Sequence, residues 1–312
     1  MDKKLLPGGM WPVMLTPFRD DASLDIEGLK KLTEIYISAG SGGLFANCLS
    51  SEMFQLNDDE RIKITETVVK YTQGKIPVVS SGTFSKDEKT NADFIKRIYD
   101  TGVKAVIINT NQLNDPDENE NAFKIKLEQL LQYTDNIPLG IYECPVPYKR
   151  LLSPELVKWL GKTERFFYFK ETSCDIPSIE KKLIALNDSS LGLYNANLPT
   201  GIDSMKKGAR GISPIGANYF PEVYGFLIQN FNNVSIDAEI KKLNSVLSAI
   251  DTLIHVCYPY SAKLVLQNRG LNISTKTRTH FDTMTSQDFI KFNDLLFVFQ
   301  DMARELNIPE VI

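Results

Sequence analysis

The stretch Phe166-Phe167-Tyr168-Phe169-Lys170-Glu171-Thr172-Ser173 places four aromatic residues directly before a lysine and a polar turn. A short apolar run of strand-forming residues predicts a β-strand that is buried on both faces. Lys170 then stands at the end of this strand, where the strand gives way to a loop. The segments on either side of this strand determine which fold it belongs to.

The amine of Lys170 is expected to be partly desolvated at that position. Burial disfavours the charged ammonium form, so it lowers the pKa of a lysine and leaves some neutral amine at neutral pH. A neutral amine attacks a carbonyl carbon and forms a Schiff base. The alternative interpretation is a lysine that ends a strand and extends its amine to water.

Short apolar segments alternate with amphipathic segments along the whole chain. Eight of the apolar segments have the length and composition of strands, and they span residues 11–16, 43–46, 76–80, 105–109, 139–142, 166–170, 191–195 and 211–215. Helices are predicted between them by polar N-caps and helical periodicity, over residues 26–39, 58–72, 86–101, 120–133, 154–160, 177–186 and 200–207.

Eight strands alternating with helices predict an α/β fold of the (β/α)8 TIM-barrel type. Three further helices are predicted over residues 237–255, 259–267 and 286–306, which is more than one barrel helix requires. We therefore expect a barrel carrying the active site in residues 1–230 and a C-terminal helical bundle packed on it in residues 231–312. An open doubly wound sheet is the alternative, but no glycine-rich nucleotide loop follows a strand.

Composition excludes several classes of function. The chain has 312 residues and a net charge of -4, and its charges are scattered without long blocks of one sign. Such a distribution gives no electrostatic footprint for nucleic acid or an anionic membrane. No apolar run approaches the length of a membrane span, and no secretory signal is recognisable at the N-terminus. We therefore expect a cytoplasmic protein that binds a small molecule.

The four cysteines lie far apart without paired metal-ligand spacing, so reduced thiols are expected rather than disulfides. Only two histidines are present, and neither belongs to a cluster of metal ligands. The sequence therefore predicts no metal and no cofactor.

In a barrel of this kind the active site forms on the loops that follow the strand C-termini. The second predicted strand leads into Ser50 and Ser51, whose hydroxyls and neighbouring backbone N–H groups are suited to holding a carboxylate. The fifth ends at Tyr142, whose phenol is placed to relay protons at the barrel mouth. Turn chemistry for the serines and simple packing for the tyrosine are the alternatives.

These loops together resemble one family, the class I Schiff-base lyases that include dihydrodipicolinate synthase and N-acetylneuraminate lyase. The resemblance covers nearly the whole chain. The motifs that carry it are Pro12-Val13-Met14-Leu15-Thr16-Pro17-Phe18, Gly43-Leu44-Phe45, Ser50-Ser51-Glu52, Asp59-Glu60-Arg61, Tyr142 with Pro145, Lys170-Glu171-Thr172, and Gly208-Ala209-Arg210-Gly211-Ile212-Ser213 with Ala217-Asn218.

The resemblance implies roles for individual residues. Lys170 matches the lysine that condenses with the ketone of a 2-oxo acid, commonly pyruvate, and Tyr142 matches the tyrosine that shuttles protons. Ser50 matches one of two hydroxyl positions that bind the carboxylate. The backbone carbonyl of Ser213 corresponds to one that lies against the reactive amine. Thr172 belongs to the lysine motif and is expected to contact the substrate.

Several positions depart from the family pattern. Leu49 occupies the first hydroxyl position of the carboxylate loop, and Leu113 lies where the synthase often has an aromatic residue that completes a proton relay in a neighbouring subunit. After strand seven, Asn195 and Asn197 replace the acidic residues that the neuraminate lyases direct at sugar hydroxyls. Neutral amides still hydrogen-bond a polyol, so we expect both asparagines to contact a hydroxylated substrate.

The expected activity is therefore retro-aldol cleavage of a hydroxylated or sugar-derived 2-oxo acid. Dehydration of a 2-keto-3-deoxy sugar acid through the same imine and dihydrodipicolinate synthesis itself are alternatives that use the same residues. A non-catalytic protein that binds a 2-oxo acid is the alternative from another class. The resemblance also implies a homo-oligomer, either a dimer or a tetramer.

Overall fold

Eight parallel strands form one curved sheet in the computed structural model, which describes residues 5–280 and 285–312. The sheet order is β1-β8-β7-β6-β5-β4-β3-β2. The strands are β1 (Gly9–Met10), β2 (Leu44–Phe45), β3 (Val78–Ser81), β4 (Ala105–Asn109), β5 (Leu139–Tyr142), β6 (Phe166–Glu171), β7 (Gly192–Asn195) and β8 (Gly211–Ile212). The predicted α/β barrel is confirmed.

The first strand is the one whose predicted position was wrong. It was expected over residues 11–16, but β1 pairs with β8 through Gly9 and Met10. Gly9 and Trp11 direct their N–H groups at the β8 side, whereas Met14 directs its N–H group at β2, so Pro12, which has no N–H group, leaves a gap on the β2 side. The chain beyond Pro12 closes the barrel through an isolated bridge, in which Phe45 N donates to Pro12 O at 3.0 Å and Met14 N donates to Phe45 O at 3.0 Å.

The helices follow the strands in the alternating order that the sequence predicts. They are α1 (Ile26–Ser38), α2 (Asp58–Thr72), α3 (Glu88–Asp100), α4 (Thr110–Leu113), α5 (Glu120–Tyr133), α6 (Pro154–Lys162), α7 (Ile176–Ala185), α8 (Gly201–Lys206), α9 (Pro221–Asn230), α10 (Asp237–Ile254), α11 (Tyr260–Asn268) and α12 (Ser286–Glu305). Sequence analysis missed α4 and α9. The signal for α9 was Pro221 at the first helical turn, where proline is favoured.

Side chains of β6 alternate between the barrel interior and the helix layer. Tyr168 lies inside the barrel with Trp11 and Tyr194, at ring-centre distances of 5.0 and 4.3 Å. Phe169 belongs instead to the core between the strands and the outer helices. Because alternate residues of a strand share a face, Lys170 points inward with Tyr168, and Glu171 points outward with Phe169.

The C-terminal helices attach to the barrel through buried ion pairs. The Lys263 Nζ atom on α11 lies 2.9 Å from Oε1 of Glu52, and both side chains are fully buried. The other carboxylate oxygen, Oε2, accepts hydrogen bonds from the backbone N–H groups of Arg278 and Thr279 at 2.6 and 2.7 Å. Glu52 closes the loop after β2, so these contacts join the C-terminal segment to the barrel mouth.

The helical extension is present, with α10 packed on α9 and α12. The expected boundary between residues 230 and 231 stays a prediction, and residues 1–4 and 281–284, which the two expected domains include, lie outside the described residues. Among the helices that the structure describes, none combines the length and apolar content needed to cross a membrane.

Candidate active site

A cavity of about 350 Å³ opens at the C-terminal ends of the barrel strands. Its floor and sides include Ser50 after β2, Tyr142 at the end of β5, Lys170 at the end of β6 and Ser213 after β8. Helix α10 also lines the cavity. Residues from separate strands meet here because the ends of all parallel strands face the same side of the barrel.

Tyr142 and Lys170 lie side by side because β5 and β6 pair with these two residues in register. The Lys170 Nζ atom is 4.5 Å from the centre of the Tyr142 ring and 5.8 Å from the centre of the Phe45 ring. Lys170 is 4% exposed. The strand end that the sequence singled out therefore delivers its amine to the cavity, next to the phenol.

Electrostatics favour a neutral amine in this position. Burial lowers the pKa of Lys170 below its usual 10.5, and the nearby Cys48 and Cys144 side chains act in the opposite direction. Burial also raises the pKa of each of these thiols, so they are uncharged at neutral pH and burial dominates. Burial, with a smaller contribution from Cys144, raises the pKa of Tyr142 well above 10, so the phenol begins the reaction protonated.

Ser50 and Thr172 line the cavity, whereas Ser51 does not. The Ser51 hydroxyl donates to Cys48 O at 2.7 Å and accepts from Cys48 N at 2.7 Å. It caps the short helix Leu49–Ser51, and the expected contact of Ser51 with the substrate stays a prediction. Thr172 donates its own hydroxyl to Glu143 O at 2.7 Å.

Asn197 lines the cavity, whereas Asn195 does not. The Asn195 side-chain amide donates to the hydroxyls of Thr200 and Ser204 at 3.0 and 3.1 Å, and its oxygen accepts from the Asn197 N–H at 2.8 Å. These bonds hold the loop after β7, and the expected contact of Asn195 with the substrate stays a prediction. Sequence spacing alone does not distinguish the two asparagines.

Ser213 lines the cavity with its side chain already engaged. Its hydroxyl donates to Trp11 O at 2.9 Å and accepts from the Tyr168 hydroxyl at 2.8 Å. The hydroxyl is therefore committed to the barrel interior. The proposed role of the Ser213 carbonyl beside the amine stays a prediction.

Sequence analysis missed the wall that α10 and the turn after it contribute. The cavity is lined from one face of α10 by Ser248, Asp251 and Thr252. His255 and Tyr258 line it from the turn that follows the helix. Residues spaced three and four apart share a helix face. This spacing was a usable signal, but nothing in the sequence indicates that the face is turned toward the barrel mouth.

The family model described as the dihydrodipicolinate synthetase family matches residues 6–296 of the chain. The chain belongs to this family. It is 22% identical over 302 residues to the 4-hydroxy-tetrahydrodipicolinate synthase of Methanothrix thermoacetophila, which covers 96% of this chain and 99% of that relative. The expected family is thereby confirmed.

Solved structures of family members share the fold. Dihydrodipicolinate synthase DapA-2 from Bacillus anthracis superposes with a TM-score of 0.85 at 18% identity, over 94% of this chain and 98% of that one. The prophage protein YagE of E. coli K12, solved in complex with pyruvate, gives a TM-score of 0.82 at 18% identity, over the same shares of the two chains.

As a member of the dihydrodipicolinate synthetase family, the protein is a carbon–carbon lyase of the class I aldolase type, which works through a lysine Schiff base. Within residues 5–280 and 285–312, no group of three or more His, Cys, Asp or Glu side chains is placed to hold a metal ion.

A buried ion triad supports the two strand ends from the outer side. The Lys182 Nζ atom on α7 lies 2.8 Å from Oε1 of Glu143 and 2.8 Å from Oε1 of Glu171, and all three side chains are almost fully buried. Glu143 directly follows Tyr142, and Glu171 directly follows Lys170. The triad thereby ties together the residues next to the amine and the phenol.

Asp251 is expected to make stability depend on pH. It accepts hydrogen bonds from the hydroxyls of Tyr219 and Tyr224, and burial raises its pKa to about 6. The folded protein then binds a proton that the unfolded chain has lost, so this contribution to stability falls as the pH rises from about 4 to above 6. Between about pH 4 and pH 7, wild type should lose ~2 kcal/mol relative to Asp251→Asn.

Chemical denaturation of both proteins across this pH range measures the difference. Asp294→Asn, on the exposed side of α12, serves as the control and should follow the wild-type curve. Parallel curves for wild type and Asp251→Asn would show that the Asp251 carboxyl is not held protonated by the fold.

Proposed function

We propose that Lys170 forms a Schiff base with a 2-oxo acid and that the enzyme cleaves a hydroxylated or sugar-derived 2-oxo acid by a retro-aldol reaction. The observation that supports this most directly is the cavity itself, in which a buried amine lies beside a protonated phenol. A structural relative, YagE, was solved with pyruvate, and pyruvate is the product that such a cleavage releases.

The proposed reaction begins with attack of the neutral Lys170 Nζ on C2 of the substrate. Tyr142 gives its proton to the departing hydroxyl, and loss of water leaves a protonated imine. The Tyr142 phenolate then takes the proton of the C4 hydroxyl. The C3–C4 bond breaks, its electron pair moves into the imine to form an enamine, and an aldehyde leaves. Protonation at C3 and hydrolysis of the imine release pyruvate and the free amine.

The cavity has room and hydrogen-bonding groups for a longer acid than pyruvate. Its volume lies at the lower end of the range for small-molecule sites. Its lining includes Asn197, Ser248, Thr252 and His255. Hydroxyl, amide and imidazole groups donate and accept hydrogen bonds, which suits a substrate tail carrying several hydroxyls.

Leu113 bears on the choice between cleavage and dihydrodipicolinate synthesis. Its side chain is fully buried in the core of its own barrel. It therefore supplies no proton to a neighbouring active site, and the relay that the resemblance implies for the synthase is not available at this position. Dehydration uses the same imine and the same residues, so it remains the second candidate for a hydroxylated substrate.

Product analysis separates these reactions. The enzyme is incubated with 2-oxo acids that carry hydroxyls at C4 and beyond, including 3-deoxy sugar acids, and the products are weighed by mass spectrometry. Cleavage gives pyruvate and an aldehyde, dehydration gives one product lighter by a single water, and condensation consumes added pyruvate and aldehyde. Failure of every acid in the panel, with no trapped adduct, would favour a binding protein without turnover.

Tyr142→Phe tests the proposed proton transfer. Removing the phenol oxygen should lower kcat by about 10²-fold while changing KM much less, because proton transfer by a placed group contributes at least that factor. Steady-state kinetics on the cleaved substrate provide the measurement. Tyr194→Phe, another buried tyrosine of the barrel interior, serves as the control. Wild-type kcat in Tyr142→Phe would exclude a proton-transfer role for this residue.

Two further properties are proposed from the family resemblance. We expect a homo-oligomer, a dimer or a tetramer, and a cytoplasmic location. Light scattering of the purified protein determines the first, and fractionation of the native cells determines the second.

A further inference from the structure

Tyr258 is the second phenol of the cavity, and the reaction described above leaves it without a role. It lies in the turn between α10 and α11 and lines the cavity together with Lys170, Tyr142 and Ser50. Burial raises the pKa of Tyr258, and the neighbouring Ser50 side chain acts in the opposite direction. Ser50 is the residue proposed to bind the carboxylate of the 2-oxo acid, so Tyr258 stands at the carboxylate end of the site.

Asn218 determines the direction in which the Tyr258 hydroxyl donates. The Asn218 Nδ2 atom donates to Val13 O at 2.8 Å and to the Tyr258 oxygen at 2.7 Å. A backbone carbonyl only accepts hydrogen bonds, so the contact with Val13 fixes which end of the amide carries the hydrogens. The amide oxygen in turn accepts from the Tyr36 hydroxyl at 3.2 Å.

The Tyr258 oxygen therefore receives a hydrogen from Asn218 and must place its own hydrogen elsewhere. The Ser50 side chain and the cavity, which both adjoin Tyr258, are the places left for this hydrogen. Both hydroxyls face a space that a carboxylate can enter, and an ionised carboxylate only accepts hydrogen bonds. Two hydroxyl donors side by side, one of them oriented by a fixed amide, form a suitable carboxylate site.

We propose that the Tyr258 hydroxyl binds the carboxylate of the 2-oxo acid together with Ser50. This inference rests on the proposed Schiff-base function, because it assigns the orientation of the acid that Lys170 attacks. Leu49, the other side chain of this loop in the cavity, has no donor to offer. A residue from the C-terminal helical segment thus completes the carboxylate site of the barrel.

The test compares two ketones that differ at the carboxylate. Wild type and Tyr258→Phe are titrated with pyruvate and with hydroxyacetone, which has a hydroxymethyl group instead of the carboxylate. Each mixture is reduced with borohydride, and the fraction of Lys170 modified is measured by mass spectrometry. Tyr260→Phe removes the same atom two residues away, from a side chain outside the cavity lining, and serves as the matched control.

Tyr258→Phe should raise the half-saturating pyruvate concentration by about 10-fold or more, as expected for loss of a hydrogen bond to a charged group. The hydroxyacetone titration should change by less than about 2-fold, since a neutral hydroxymethyl gains little from the phenol. Tyr260→Phe should match wild type with both ketones.

The other outcomes are distinct. Equal weakening for pyruvate and hydroxyacetone would assign Tyr258 a structural role and overturn the inference. Unchanged pyruvate titration, with Lys170 still modified, would overturn the inference and leave the proposed Schiff base intact. No modification of Lys170 in wild type by either ketone would overturn the proposed function, and the role of Tyr258 with it.

Discussion

Lys170→Met is expected to abolish both turnover and the borohydride-trapped pyruvate adduct. Methionine nearly matches the volume of the lysine stem but has no amine, so no imine forms. The stability of the Lys170→Met protein should not fall, because the substitution removes an amine whose charged form is disfavoured by burial. Mass spectrometry after trapping gives the first result, and thermal unfolding gives the second.

Lys149→Met provides the matched control, since Lys149 is the other lysine that lines the cavity. This variant should still be modified at Lys170. A pyruvate adduct that persists in Lys170→Met, or one found on Lys149 in wild type, would place the reactive amine elsewhere. A large loss of stability in Lys170→Met would instead indicate that the lysine is a structural residue.

The second large effect is expected at the ion triad on the outer side of the strand ends. Lys182→Met leaves Glu143 and Glu171 adjacent and buried without their cation. Removing one partner from a buried ionic group typically destabilises by about 3–5 kcal/mol. Burial already raises the pKa of Glu143 despite the opposing effect of Lys182, and Glu171 raises it further, so Glu143 should favour the protonated form in the variant.

This deficit should depend on pH in a defined direction. Carboxyls whose pKa is higher in the folded state than in the unfolded chain stabilise at low pH and lose that contribution as the pH rises. Urea denaturation of Lys182→Met should therefore show a smaller loss at pH 5 than at pH 8. Adding Glu143→Gln and Glu171→Gln to Lys182→Met should recover most of the loss, since neutral amides carry no uncompensated charge.

Lys181→Met is the control for the triad, because Lys181 is exposed one residue away on the same helix. Its stability should stay within about 0.5 kcal/mol of wild type. A similarly small change for Lys182→Met would show that the buried pair of carboxylates tolerates the loss of the cation, and the triad would then not hold the strand ends.

The parts of the fold that sequence predicted are those with local causes. The run from Phe166 to Lys170 is buried on both faces, so its composition alone identifies a central strand. Lys170 and Tyr142 end their strands, and parallel strands bring such ends to one side. The first strand was misplaced because its pairing with Gly211 depends on a partner distant in sequence.

The parts of the site that sequence could not predict depend on which groups the side chains hydrogen-bond in the folded protein. Ser51 and Asn195 have polar groups that suit a substrate, yet both satisfy them within their own loops. Tyr258 has no motif around it that indicates a site. Its position follows from the packing of the C-terminal helices and from Asn218, which lies 40 residues earlier in the chain.

The division of the cavity between the barrel strands and the C-terminal helices bears on how this enzyme acquires new substrates. The reacting groups belong to β5 and β6, whereas much of the remaining lining belongs to α10 and the turn that ends at Tyr258. Variation confined to residues 248–255 can thus redirect selectivity while Tyr142, Lys170 and Tyr258 keep their roles. Directed evolution limited to that window should yield variants with altered acid preference that retain the same covalent intermediate, and natural divergence has had the same route open to it.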